Sequence, residues 1–212
     1  MQVEVWSDIV CPWCYIGKRR LEKALAGFEH ADEVELVWRS FQLDPTFPKG
    51  VREPVYESLA KKMNATADQV RGMTDQVKQV AAQEGLHYDF ENGVMVNTFD
   101  AHRLTHLAKD KGLGDRAHER LMRAQLVEAR VLDDVDTLVE LAQEIGLDAG
   151  QARTVLTGDT YTAEVEGDIR AAQQLGATGV PFFVMDRAFG ISGAQPLEVF
   201  TSALEKAYAQ KV

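Results

Sequence analysis

With 212 residues, 45% of them hydrophobic and 26% charged, the chain can bury a core like that of an ordinary globular protein, as one large domain or two closely packed ones. Its formal charge of −10 argues against a nucleic-acid surface, which needs clustered Lys and Arg. Nowhere do apolar residues run for the roughly 20 positions that a membrane span requires. The first residues, MQVEVWSDIVCPWC, carry Glu4 and Asp8 where a secretory leader would have a basic stretch and a long apolar run. A cytoplasmic location is therefore expected, with no membrane or nucleic-acid partner.

Residues 2–6 alternate like a strand and hold the valines and tryptophan that strands favour. A helix is expected directly after Cys11. Pro12 suits its first turn, where a missing N–H is no loss, and Cys14, Gly17, Leu21, Ala24, Leu25 and Phe28 follow at helical spacing. VELVWRSF (34–41) reads as a second strand, which completes a βαβ-sized unit with a parallel pair. The breaker-rich DPTFPKGVREP (44–54) leads out of that unit.

From about 53 to 175 the pattern is helical. Val70, Met73, Val77 and Val80 form one apolar stripe, Leu138, Leu141, Ala142 and Ile145 a second, and Tyr161, Val165, Ile169, Ala172 and Leu175 a third. HYDFENGVMV (87–96) is ambiguous. After Gly176 strand character returns in Val180–Asp186, DRAF supplies a turn, and GISG (190–193) reads as a short partner strand. A last helix follows Pro196, with Leu197, Phe200, Leu204 and Tyr208 on one face.

Cys11 and Cys14 are the chain's two cysteines. A link across two intervening residues closes almost no loop, so their value is not structural. Residues three apart share a helix face, which puts both sulfurs within bonding reach at the helix mouth. There the free N–H groups favour the Cys11 thiolate, the nucleophile of disulfide exchange, while Cys14 is placed to resolve the mixed disulfide. Such a cycle needs no cofactor. A zinc site would require further ligands, and the five histidines offer one close helical pair, His102 and His106.

The combination of SDIVCPWCYIG near the start, TGVPFFV near the end and a helical insertion between them resembles the DsbA family of thioredoxin-like proteins, in particular its FrnE-like branch. NTFDAHRL, from Asn97, resembles that branch as well. The resemblance spans essentially the whole chain. It implies an α/β, thioredoxin-like fold with a large all-helical insertion: a discontinuous thioredoxin-like domain from 1–48 and 176–212, and a helical cap from 49–175. It further implies a thiol-disulfide oxidoreductase or isomerase acting on protein or small-molecule disulfides, with glutathione as an allowed substrate or reductant. A cis Val180–Pro181 bond facing the dithiol is implied too, with Val180 presenting its backbone to a bound chain.

Relatives with serine in place of the first cysteine include 2-hydroxychromene-2-carboxylate isomerases and kappa-class glutathione transferases, which supply the alternative of a glutathione-dependent isomerase or transferase. Cys11 favours dithiol chemistry over that alternative. Where those relatives carry Gly-x-Asp after the last strand, this chain has Gly193, Ala194 and Gln195.

The candidate site is thus Cys11, Cys14 and Pro181 as catalytic residues, with Pro12, Trp13, Val180 and Asn97 toward substrate and no metal. Trp13, between the cysteines, is expected to face solvent, whereas Trp6 and Trp38 read as ordinary aromatics. Asn97 also fits a helix N-cap with Asp100 in the first turn. Asp8 reads equally as a charge acting on Cys11 and as a solvated strand end. The oligomeric state is not legible.

Overall fold

A computed structural model describes residues 1–210. Strand β1 (Gln2–Ser7) is buried from Val3 to Ser7, as a strand covered on both faces must be. After a short turn, α1 (Pro12–Ala26) starts with its proline in the first turn and returns the chain to β2 (Glu35–Ser40). β2 lies parallel to β1, in register from Gln2 opposite Glu35 to Ser7 opposite Ser40.

The long middle segment runs β3 (Glu53–Pro54), α2 (Val55–Met63), α3 (Ala67–Gln83), β4 (Val94–Met95), α4 (Phe99–Asp110), α5 (Gly114–Leu126), α6 (Val135–Glu144), α7 (Ala149–Thr157) and α8 (Thr162–Gln174). It is helical as expected, apart from one small ribbon. Glu53 and Pro54 pair antiparallel with Met95 and Val94, so the ambiguous 87–96 stretch is a loop ending in a two-residue strand. The capping box of Thr66 and Gln69 opens α3, and Asp134 and Asp148 cap α6 and α7.

The chain then comes back to the sheet. β5 (Phe182–Met185) pairs antiparallel with β1, and β6 (Phe189–Ser192) with β5, giving the order β2-β1-β5-β6. Asp186 and Arg187 both take positive φ in the intervening turn, the backbone twist that a tight hairpin favours. α9 (Leu197–Ala209) closes the structure against α1 and the sheet. Positions 211 and 212, the end of the expected 176–212 segment, lie outside the described residues.

The apolar faces hold with three corrections, the first being Leu197, which opens α9 and is 39% exposed. Leu175 is 43% exposed, because α8 ends at Gln174 and Leu175 is its cap rather than part of its buried face. Met73 is 36% exposed and borders a groove described below. Phe28 lies beyond the end of α1, where its ring meets His30 and Tyr208 edge-on.

Candidate active site

Cys11 is the N-cap of α1, with extended backbone angles (φ −87°, ψ 110°). Its N–H donates to the Asp8 carbonyl at 3.0 Å, and the Cys14 N–H donates to the Cys11 carbonyl at 3.1 Å. This tight turn into the helix stacks the two residues at the helix mouth. Both are free thiols and both are buried. Trp13 points outward at 40% exposure, and the Pro12 carbonyl accepts a hydrogen bond from the Tyr88 hydroxyl at 2.7 Å.

Val180–Pro181 is cis, as the motif implied. The Cys11 Sγ lies 3.6 Å from the Val180 carbonyl oxygen, so residues 169 positions apart meet at the sulfur. Gly17 makes that approach feasible. A β-carbon there would stand 3.0 Å from both the Pro181 ring and the Phe183 ring, so the turn of α1 that follows Cys14 has no room for a side chain.

The Cys14 thiol is pushed well above the ordinary cysteine range, chiefly by burial and then by the neighbouring Cys11. The Asp8 backbone N–H and the Ser7 side chain work the other way, favouring the thiolate. Tyr88, buried beside the pair, is also raised, by burial first and by the nearby sulfurs after it. The inner thiol is therefore a proton holder until something removes the proton.

The remaining expected residues fall into place unevenly. Asn97 is buried, but its amide is engaged within its own neighbourhood: Nδ2 donates to the Phe47 carbonyl at 2.6 Å and Oδ1 accepts from the Phe99 N–H at 2.9 Å. The N-cap of α4 is Thr98, not Asn97, and Asp100 pairs with Lys49 and Arg103. Asp8 is no solvated strand end. Its carboxylate is buried, accepts the Leu43 N–H at 2.8 Å and lies 3.3 Å from His102 Nε2. Trp6 and Trp38 are core residues whose indole N–H groups donate to the Asp168 carbonyl and to the Asp115 carboxylate. His106 sits 3.1 Å from Asp168.

Among the buried polar residues not singled out from sequence are three on β1, α1 and α5. Ser7 ends β1; Lys18 is fully buried among Glu22, Asp115 and Glu119; His118 lies on α5. One signal existed for Lys18, since it stands four residues after Cys14 on the buried face of α1, where an isolated charge is out of pattern. Beside the dithiol a groove of about 570 Å³ is lined by Pro12, Trp13, Phe47, Leu59, Met73 and Phe90 among others.

Residues 2–205 match the family model of the DSBA-like thioredoxin domain. The chain belongs to that family. It is 28% identical to the protein YwbO of Bacillus subtilis (strain 168) over all of this chain and 99% of that one. A crystal structure of a probable DsbA oxidoreductase from Streptomyces coelicolor is 48% identical, with a TM-score of 0.96 over 100% of this chain and 92% of that one. A 2-hydroxychromene-2-carboxylate isomerase shares the fold at 14% identity and TM-score 0.74, covering 100% of this chain and 98% of its own. The cytosolic disulfide reductase DsbM of Pseudomonas aeruginosa, solved with GSH, does so at 20% and 0.69, covering 99% and 100%. The fold is accordingly the thioredoxin-like DsbA fold, and the family chemistry is that of thiol oxidoreductases.

Proposed function

We propose that this chain is a thiol-disulfide oxidoreductase or isomerase that exchanges disulfides with protein or small-molecule substrates through Cys11 and Cys14. The observation that carries the reading is the placement of Cys11 at the N-cap of α1, with its sulfur against the Val180 carbonyl and a second thiol one turn inside. Cys11 attacks a substrate disulfide; Cys14 then displaces the bound sulfur and closes the intramolecular disulfide. Pro181 shapes the floor of the site. Val180 pairs through its backbone with the substrate chain, while Pro12 and Trp13 rest against its side chains. The apolar groove next to Trp13 supports a substrate with an apolar residue close to its disulfide.

Residues 49–175 act as a cap on the thioredoxin-like part, formed by 1–48 and 176–212. Support comes from one apolar cluster that joins Cys11, Cys14, Tyr15 and Ile16 to Val55, Tyr88, Leu104 and Leu121 of the helical segment. Asn97 belongs to the wall of this cap through its tie to Phe47. No resident cofactor is assigned, and glutathione enters as a substrate or reductant. A cytoplasmic, reducing setting suits a chain whose two cysteines serve exchange and leave none for a structural disulfide, and it favours reduction or isomerisation.

The test is a pair of variants assayed for insulin reduction and for repair of scrambled disulfides, with glutathione as reductant. Both Cys11→Ser and Cys14→Ser should abolish turnover. Cys14→Ser should accumulate mixed disulfides with substrate, and Cys11→Ser none. Equal trapping by the two would defeat the assignment of roles. Glutathione-dependent isomerisation that survives Cys14→Ser would favour the isomerase-like alternative.

A further inference from the structure

The Cys11 sulfur has an acceptor beside it, whereas a thiolate needs a donor. Its Sγ lies 3.6 Å from the Val180 carbonyl oxygen, which is a partner for an S–H and none for S⁻. At a helix mouth the side chain of the N-cap residue meets the backbone N–H groups of the second and third helical residues. Cys11 is that N-cap, Pro12 has no N–H to offer, and the Cys14 N–H already donates to the Cys11 carbonyl at 3.1 Å. That leaves Trp13. Its N–H donates to no carbonyl among the described residues.

The other end of the same peptide group is engaged from outside the helix. The Pro12 carbonyl accepts the Tyr88 hydroxyl at 2.7 Å. In a helix that begins at Pro12 this oxygen also accepts the N–H four residues on, so the phenol takes its second lone pair. A hydrogen bond at one end of a peptide group polarises it and strengthens the donor at the other end. Tyr88 is well held for that task. It belongs to the loop that ends in β4, its ring stacks on Tyr15 with centroids 6.4 Å apart and tilts against Phe90 at 5.5 Å, and the next N–H, that of Asp89, donates to the Leu126 carbonyl at 2.9 Å. Burial, and after it Cys11 and Tyr15, hold the phenol's proton in place, so the hydroxyl is a donor at neutral and mildly alkaline pH.

We propose that Tyr88 is a positioning residue for the nucleophile: its hydroxyl, seated on the Pro12 carbonyl, fixes and polarises the Pro12–Trp13 peptide group, whose N–H then receives the Cys11 thiolate. The inference rests on the disulfide-exchange reading and deepens it, because it gives the segment 49–175 a part in setting the reactivity of Cys11. When Cys11 loses its proton to solvent, the contact with Val180 loses its hydrogen, and the sulfur takes the Trp13 N–H instead. Hydrogen bonds to a charged acceptor are roughly twice as strong as neutral ones, so the quality of this donor counts more for the thiolate than for the thiol. Tyr88 reaches the sulfur only through the peptide group. The other ionisable groups of the site, Cys14 and Tyr15 of α1, Asp8 in the turn after β1 and His102 of α4 behind it, keep their places when the Tyr88 hydroxyl alone is removed.

Tyr88→Phe keeps the ring and its stacking and deletes the donor, which makes it the variant of choice. The reduced protein is alkylated with iodoacetamide across the titration of the thiol, and the rate at Cys11 is read by mass spectrometry of the modified peptide. Below the wild-type midpoint Tyr88→Phe should react about threefold more slowly, toward the lower end of what one hydrogen bond contributes. Above both midpoints it should be no slower, since the less acidic thiolate is the better nucleophile. By NMR the Pro12 carbonyl carbon and the Trp13 amide proton should both move upfield in the variant. A rate lowered by the same factor at every pH would mark a loss of structure and overturn the proposal, as would an unchanged profile or an unmoved Trp13 amide proton. If Tyr88→Phe does not fold, 3-fluorotyrosine at position 88, a stronger donor of nearly the same shape, should shift the profile to lower pH, and an unshifted profile would overturn the proposal. Neither readout needs turnover. A wild-type protein that fails to exchange disulfides in the assays above would therefore sink the disulfide-exchange reading and leave the contact of Tyr88 with Cys11 to be judged by these measurements.

Discussion

The two halves of α1 lie in surroundings made of different material. Around Leu21 and Ala24 the neighbours are hydrocarbon: Val3, Val5, Phe183, Met185, Phe200 and Leu204 fill the space between the sheet, α1 and α9. Around Cys11 to Lys18 the apolar residues are interleaved with Ser7, Asp8, Lys18, His102 and His118, all buried. Burying such groups is costly unless each is paired, and paired groups fix one geometry. The apolar half supplies stability that tolerates little loss of volume. The polar half supplies positions and charge states.

Three substitutions test that division, and Phe200→Ala should have the largest effect. Phe200 is fully buried edge-on against Phe183, and its truncation should cost about 3–5 kcal/mol in urea denaturation, while disulfide exchange per folded molecule stays unchanged. A loss of exchange out of proportion to the folded fraction would mean that the two halves are not separable.

Next in size is the pH response of the polar half. His118 has a folded pKa below its unfolded value of 6.5, so the unfolded chain takes up the proton first as pH falls. Its contribution to stability is then complete above about pH 6.5 and declines below it, by up to about 1.4 kcal/mol per pH unit. Denaturation at neutral and at mildly acidic pH should show this slope in the wild type and a shallower one in His118→Gln. Asp168 adds a second loss at lower pH. Although burial opposes it, His106, the Ser40 N–H and Arg39 hold its carboxyl below 3.8, so its contribution is present above that value and lost as pH falls through the lower folded one. Equal slopes for wild type and His118→Gln above pH 4 would assign the acid sensitivity to other groups.

The smallest effect belongs to Trp13, which is exposed and contributes little to the fold. Trp13→Ala should change stability by less than about 0.5 kcal/mol and raise the KM for a peptide disulfide about fivefold, equivalent to about 1 kcal/mol. Its reaction with a small disulfide should be unaltered. An equal effect on both substrates would mean that Trp13 acts on the sulfurs rather than on the bound chain.

How much of this was legible in the sequence depended on the range of the interactions. The Cys11–Cys14 pair, the proline at the start of α1 and the short strands at either end are local patterns, and they could be read directly. The contact of Cys11 with Val180 came from family resemblance, because nothing local links positions so far apart. The burial of Asp8 and the partners of Lys18 were hidden for the same reason: His102, Asp115 and Glu119 come from α4 and α5, which only the tertiary fold brings near. The N-cap of α4 is Thr98 instead of Asn97, although the Asn97 Oδ1 still accepts the Phe99 N–H, while its Nδ2 reaches the Phe47 carbonyl, a contact across 50 residues. Leu175 fitted a periodic stripe but fell one residue past the helix end.

Sheet order also bears on how the molecule is made. β1 is one of the two inner strands of the sheet, yet the other, its antiparallel neighbour β5, is almost the last strand synthesised. A nascent chain therefore carries Cys11 and Cys14 long before Val180 and Pro181 exist to lie against them. During that interval the Cys11 sulfur has no floor and β1 has one open edge, a template for wrong pairing. The surroundings of Cys11 are thus completed only with the last strands, and a chain stalled ahead of β5 would carry both thiols without Val180 and Pro181 beside them.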